Sequence, residues 1–200
     1  MRSTRVRTAV AAVAAAPLVW AGFTPHSFAL GADSPSPTPS RSSQAFGPGC
    51  SSLPGGGPGS AVAMAKEKVA DAVADNPRLT QLASALKKAG LDTELNDAKK
   101  VTLFAPTDDA FKKLTVSQLQ SLLNDRSQLK KVLTYHVVDQ EITRGELADG
   151  TFKTREGSTL TTSGSGDTYK VNKTATIVCG DLKALNATVN LVDTVLTPPK

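Results

Sequence analysis

Residues 101–114 read VTLFAPTDDAFKKL. The run Val101-Thr102-Leu103-Phe104-Ala105 is apolar and β-branched without a break, which predicts a short strand buried on both faces and stopped by Pro106. Thr107 then offers a capping hydroxyl, and Asp108-Asp109 place negative charge in the first turn of a brief helix through Leu114. A buried strand turning at once into a capped helix fixes the centre of a mixed fold. The two acids gain a structural reading from the same geometry, because adjacent helical side chains point about 100° apart and do not converge on one substrate atom.

Upstream, Val62, Ala65, Val69 and Ala72 recur at steps of three and four, as do Leu79, Leu82, Leu86 and Ala89, predicting two amphipathic helices. Asn76-Pro77 opens the second and Gly90 closes it after Lys87-Lys88. From Asp33 to Ser60, eight Ser, six Pro and six Gly make up 20 of 28 residues, so residues 30–60 are expected to link and residues 61–200 to fold. Phe46-Gly47-Pro48-Gly49-Cys50 differs from that tract, since an aromatic and a cysteine imply docking of an arm. Arg2, Arg5 and Arg7 before an apolar run over residues 9–23 predict a signal peptide at 1–29, cut after Ala29, with Ala32 as the alternative. The run is shorter than the roughly 20 residues a spanning helix needs. Losing those arginines takes the net charge from +5 to +2, which gives no reason to expect nucleic acid as a partner. Export to an oxidising compartment predicts that Cys50 and Cys179 pair.

Downstream, Thr115 with Gln118 and Asp125 with Gln128 read as capping boxes, for a helix over residues 116–123 and another ending near Thr134. Beyond His136 come short β-rich runs at 150–154, 158–162, 168–171, 174–179 and 189–196, with Gly164-Ser165-Gly166-Asp167 closing a hairpin. Helices first and antiparallel strands afterwards read as α+β, a β-sandwich with helices packed at its side or end.

The mature chain would keep one histidine, His136, and it has no GxSxG, HExxH, CxxC or P-loop pattern. No catalytic residue, metal or cofactor is therefore expected. Tyr135-His136 sits between apolar neighbours, where a histidine can serve as a core group bonded to a backbone carbonyl or as a contact residue. Asp193 shares strand parity with Val189, Leu191 and Val195, so its carboxylate is expected to face the core and to need loop amides or His136 as donors. Lysine pairs at 87/88, 99/100, 112/113 and 130/131 read as a solvated face, or as an anion-binding patch if they converge. Asn172-Lys173-Thr174 and Asn186-Ala187-Thr188 fit the N-glycosylation pattern.

Three segments, TLFAPTDDAF at 102–111, LTYHVV at 133–138 and ATVNLVDTVLTPP at 187–199, together resemble the landmark segments of fasciclin (FAS1) domains. The resemblance covers residues 66–199. It implies a compact β-sandwich wedge with packed helices and a secreted, extracellular adhesion module that recognises a protein or glycan at a cell surface or in a matrix without enzymatic turnover. It also implies a binding role for Tyr135 and His136, since a Tyr-His segment is implicated in partner contact in animal members. Many members carry a histidine where this chain has Asn190. The alternative is a small-ligand protein or enzyme using a cleft near Tyr135-His136 and Thr107–Asp109, with Thr107 and Asp108 as binding candidates. A deep apolar pocket with convergent polar groups would favour that alternative.

Overall fold

A computed structural model describes residues 45–199. The expected leader and the first part of the linker lie outside the described residues.

Among the described residues, seven α-helices and seven strands follow one another, helices mostly first as the sequence implies. Before the first strand come α1 (Ala61–Met64), α2 (Val69–Ala74), α3 (Thr80–Ala89) and α4 (Asp92–Asp97). After β1 (Val101–Pro106) come α5 (Asp108–Lys112), α6 (Val116–Asn124) and α7 (Arg126–Tyr135). The rest is β2 (Val137–Val138), β3 (Asp149–Lys153), β4 (Thr159–Ser165), β5 (Thr168–Val171), β6 (Ala175–Lys183) and β7 (Ala187–Val192). The fold is α+β.

The strands form one sheet in the order β2-β1-β7-β6-β5-β4-β3. All neighbours are antiparallel except β1 and β7, which run parallel from Val101↔Ala187 to Pro106↔Val192. The first and last strands nearly meet: Val138 bridges Thr154 just beyond β3, and the Arg155 amide donates to the Val137 carbonyl at 2.8 Å. The wedge is thus a single sheet curled almost into a barrel, bent where the β6–β7 register shifts between Ile177, Cys179 and Leu182.

Two apolar cores result. On the helical side, Val101, Leu103 and Ala105 of β1 and Val189 and Leu191 of β7 pack with Val73, Leu82, Leu86 and Leu129. Inside the curl, Phe104, Tyr135, Phe152, Leu160, Val171, Ile177 and Val192 pack together. β1 is buried at every position and feeds both cores, which is why its sequence shows no polar alternation.

Several local readings differ from the structure. Val62 is 58% exposed, because α1 is a single turn whose buried residue is Met64 and the chain breaks before α2. The second upstream helix starts at Thr80, three residues after Pro77, and α4 carries too short an apolar pattern to be read. Thr115 and Gln118 form the reciprocal capping box, whereas Asp125 caps α7 by accepting from the Ser127 and Gln128 amides, with no return bond from Gln128.

Cys50 and Cys179 form a disulfide across 129 residues, with Cα atoms 4.8 Å apart. Around it the arm docks closely. Phe46 exchanges two backbone hydrogen bonds with Gly180, and its ring lies edge-on to Tyr169 at 4.9 Å under the Arg144 guanidinium at 4.7 Å. Gly47 has a φ of 106°, and a Cβ there would fall 2.6 Å from the Val178 carbonyl oxygen, so no other residue fits this approach.

Candidate functional site

Tyr135 ends α7 and His136 is its C-cap, and both are buried. The His136 ring bridges two backbone segments. Nδ1 donates to the Val132 carbonyl at 2.8 Å, one turn back, which leaves Nε2 to accept from the Leu196 amide at 3.0 Å. Burial pushes the imidazole from its ordinary 6.5 down to about 4, against the opposing bond to Val132, so the ring is neutral at physiological pH. The phenol of Tyr135 donates to the Thr159 carbonyl at 3.0 Å and accepts from Asn172 Nδ2 at 2.8 Å.

Thr107 and Asp108 are also committed. Thr107 Oγ1 accepts from the Ala110 amide at 3.3 Å as the N-cap of α5, while the Thr107 amide donates to the Val192 carbonyl at 3.0 Å and ties α5 to the end of β7. Asp108 reaches away from its own helix to α3: its carboxylate accepts from the Gln81 amide at 2.9 Å and from the Thr80 hydroxyl at 2.7 Å. It therefore supplies the N-terminal cap that α3 lacks in its own sequence. Asp109 instead faces solvent, where Lys112 at 2.8 Å holds its carboxyl below the usual range.

Asp193 corrects the expectation of a core-facing carboxylate. β7 ends at Val192, and the next side chain lies just past the end of this central strand, partly exposed. Its Oδ1 accepts from the Thr176 amide at 2.7 Å and its Oδ2 from Lys113 Nζ at 2.9 Å; His136 is not a donor to it. Burial opposes its ionisation, yet the Thr176 amide, Lys113 and Thr194 outweigh that and hold its pKa below the ordinary value.

Four polar residues matter more than sequence reasoning indicated. Asn186 joins three segments: Oδ1 accepts from the Val69 amide at 2.9 Å, and Nδ2 donates to the carbonyls of Leu95 at 2.8 Å and Ala98 at 2.9 Å. Asn172, at a φ of 49°, joins β4 to Tyr135. The N-glycosylation pattern was the only signal at either position, and both amide nitrogens are occupied. Asn190 is buried; its Oδ1 accepts from the Asp181 amide at 3.0 Å at the bulge, where Asp181 has a φ of 59°, and its Nδ2 has no protein partner. Arg155 pairs with Glu94 and Asp139, and so ties the loop after β3 to α4.

Three of the four lysine pairs go to separate places. Lys112 and Lys113 serve Asp109 and Asp193, Lys130 and Lys131 serve Glu94 and Glu156, and Lys99-Lys100 line a separate depression beside Lys183. Among the described residues, no cluster of three or more His, Cys, Asp or Glu could hold a metal ion, and no helix is long and apolar enough to cross a membrane.

What lies open beside the buried Tyr-His pair is a groove of about 350 Å³ between α6, α7 and the final segment. Leu122 and Val132 line it from the helices and Val195 from that segment, whose position is set by the bond from Leu196 to His136.

Comparison with known proteins agrees with this architecture. A fasciclin-domain family model matches residues 77–198. The chain is 42% identical over 147 residues to the cell surface glycolipoprotein MPB83 of Mycobacterium bovis, covering 72% of this chain and 66%, just under two thirds, of that protein. It is 37% identical over 169 residues to the immunogenic protein MPB70 of the same species, covering 80% and 86%. A solved FAS1 domain pair from the insect cell adhesion molecule fasciclin I superposes with a TM-score of 0.52 at 20% identity, over 62% of this chain and 46% of that one.

Proposed function

The chain belongs to the fasciclin family, and from that premise we propose that it is an exported, non-enzymatic binding module recognising a protein or glycan at a cell surface or in a matrix. The observation that carries this reading is the commitment of Tyr135, His136, Thr107 and Asp108 to bonds within the fold. None of them presents an activated group to a substrate. Their work is to fix α3, α5, α7 and the final segment, and recognition falls to the outer face that these elements make. The surface location of MPB83, given in its name, supports export, as does the leader-like composition of residues 1–29. In this reading Tyr135 and His136 act through the groove wall and do not touch the partner.

The test is capture of surface-extract components by the secreted protein, compared between wild type, His136→Ala and the exposed groove variant Gln128→Ala. The reading expects binding by wild type, loss with His136→Ala in step with a lowered melting temperature, and loss with Gln128→Ala at an unchanged one. Conversion of any extract component by the protein, or abolished capture by His136→Ala with an unchanged melt, would overturn it.

A further inference from the structure

The connector between the docked arm and α1 is anchored at both ends and free in its middle. Upstream, Cys50 is bonded to Cys179, and its carbonyl accepts from the Leu53 amide at 3.1 Å. Downstream, Gly59 is buried at a φ of 76°, where a Cβ would fall 2.6 Å from Pro77 Cδ, and Ser60 caps α1 by accepting from the Ala63 amide at 3.2 Å. Between these anchors Gly55, Gly56, Gly57 and Pro58 are exposed, and a Cβ added to any of the three glycines would meet nothing within 4 Å. Pro54, Gly55 and Gly56 make no backbone hydrogen bond among the described residues. Gly57 makes one, accepting from the Ser60 amide at 3.2 Å.

An endopeptidase takes its substrate as an extended strand and needs several residues free of other bonds. This stretch supplies them without unfolding anything else. Its chemistry is selective. No charged or aromatic residue lies between Phe46 and Lys66, so enzymes that require a basic or aromatic side chain find no foothold. Pro54 follows Leu53 and Pro58 follows Gly57, and the missing proline N–H with its fixed φ blocks most enzymes at those two bonds. Left at the centre are the bonds 55–56 and 56–57, the two Gly-Gly bonds of the chain.

We propose that this exposed stretch is a processing site for a glycine-specific endopeptidase, and that the cut protein persists as two chains joined through Cys50 and Cys179. Water adds to the carbonyl carbon of Gly55 or Gly56, the C–N bond breaks, and the new carboxylate and ammonium sit on ends that are each tied to the fold. The cut lies inside the 129-residue span that the disulfide closes, so it opens the same ring that loss of the disulfide opens. Either break alone leaves the arm attached by the other link. Only both together free it. This site goes beyond the proposed recognition of a protein or glycan and does not depend on it.

Digestion of the folded, oxidised protein with a glycyl-glycine endopeptidase, beside a synthetic peptide of residues 51–61, tests the assignment. The protein should gain the mass of one water, stay in one piece in detergent without thiol, and separate into two fragments once dithiothreitol converts the disulfide to two thiols. Its cutting rate should lie within about a hundredfold of the peptide's. The cut protein should still melt cooperatively, near the temperature of uncut Cys50→Ser. Gly56→Pro leaves no Gly-Gly bond and should stop the cut at an unchanged melting temperature. A slower rate, such as the penalty of about a thousandfold or more that global unfolding imposes, would overturn the proposal. So would loss of the cooperative melt on cutting, or continued cutting of Gly56→Pro.

Discussion

The imidazole of His136 accepts a hydrogen bond from the Leu196 amide at 3.0 Å, 60 residues further along the chain. One side chain thereby ties the end of α7 to the segment that follows the last strand. The bond requires a neutral ring, since a protonated imidazole has no lone pair to offer.

Acid should therefore loosen the fold in a defined window. With the folded-state pKa at about 4 and the ordinary value at 6.5, the unfolded chain binds a proton between those values that the folded chain does not. The contribution of His136 is complete above 6.5 and is lost as pH falls towards about 4, on the order of 3 kcal/mol in all. Denaturant unfolding at about pH 7 and about pH 4 should show a smaller acid loss in His136→Phe than in wild type. Equal losses would assign the acid sensitivity to carboxylates instead.

Replacing Cys50 by Ser removes a link closing a 129-residue span and should cost about 2–5 kcal/mol. The Gly180 amide, which donates to Phe46 at 2.8 Å, should then exchange with solvent faster than its β7-paired neighbours. A wild-type exchange rate at Gly180 would mean that the arm docks without its covalent tie.

Asp108 and Asp109 are neighbours with different duties, so alanine should separate them. Asp108→Ala strips the cap from α3 and is expected to cost about 1 kcal/mol. Asp109→Ala removes an exposed pair with Lys112 and should stay within about 0.5 kcal/mol of wild type. Thermal melts of the two variants provide the comparison.

Asn186→Ala should be the more damaging of the asparagine truncations. It strands the Val69 amide and the carbonyls of Leu95 and Ala98 together, for an expected loss of about 2–4 kcal/mol. Chemical denaturation would measure it. A loss below about 1 kcal/mol would mean that water replaces the amide without strain.

The sequence made legible what is local. The cap at Thr107, the box at Thr115 and Gln118, the stop at Gly90 and the hairpin near Gly166 depend on residues within a few positions of one another, and their signatures do not need the rest of the chain. The α+β order was readable for the same reason. Asp108 reads as a charge on its own helix because nothing in the sequence brings Thr80 beside it; the tertiary fold does that. Asn186 was opaque on the same grounds, with its Val69 partner 117 residues away. Period-two counting points Asp193 at the core because it continues past the point where the Thr107 amide takes the Val192 carbonyl and the strand ends. Tyr135 and His136 carried the right alphabet for a contact site, yet a polar pair looks identical in sequence whether it faces solvent or a backbone carbonyl.

The parallel pairing of β1 with β7 also sets a schedule. A nascent chain leaving the ribosome exposes the greasy strand at 101–106 long before its central neighbour at 187–192 has been made. The middle of the sheet can zip only once residues 187–192 exist, so a chain cut before them should stay unfinished and open to proteases.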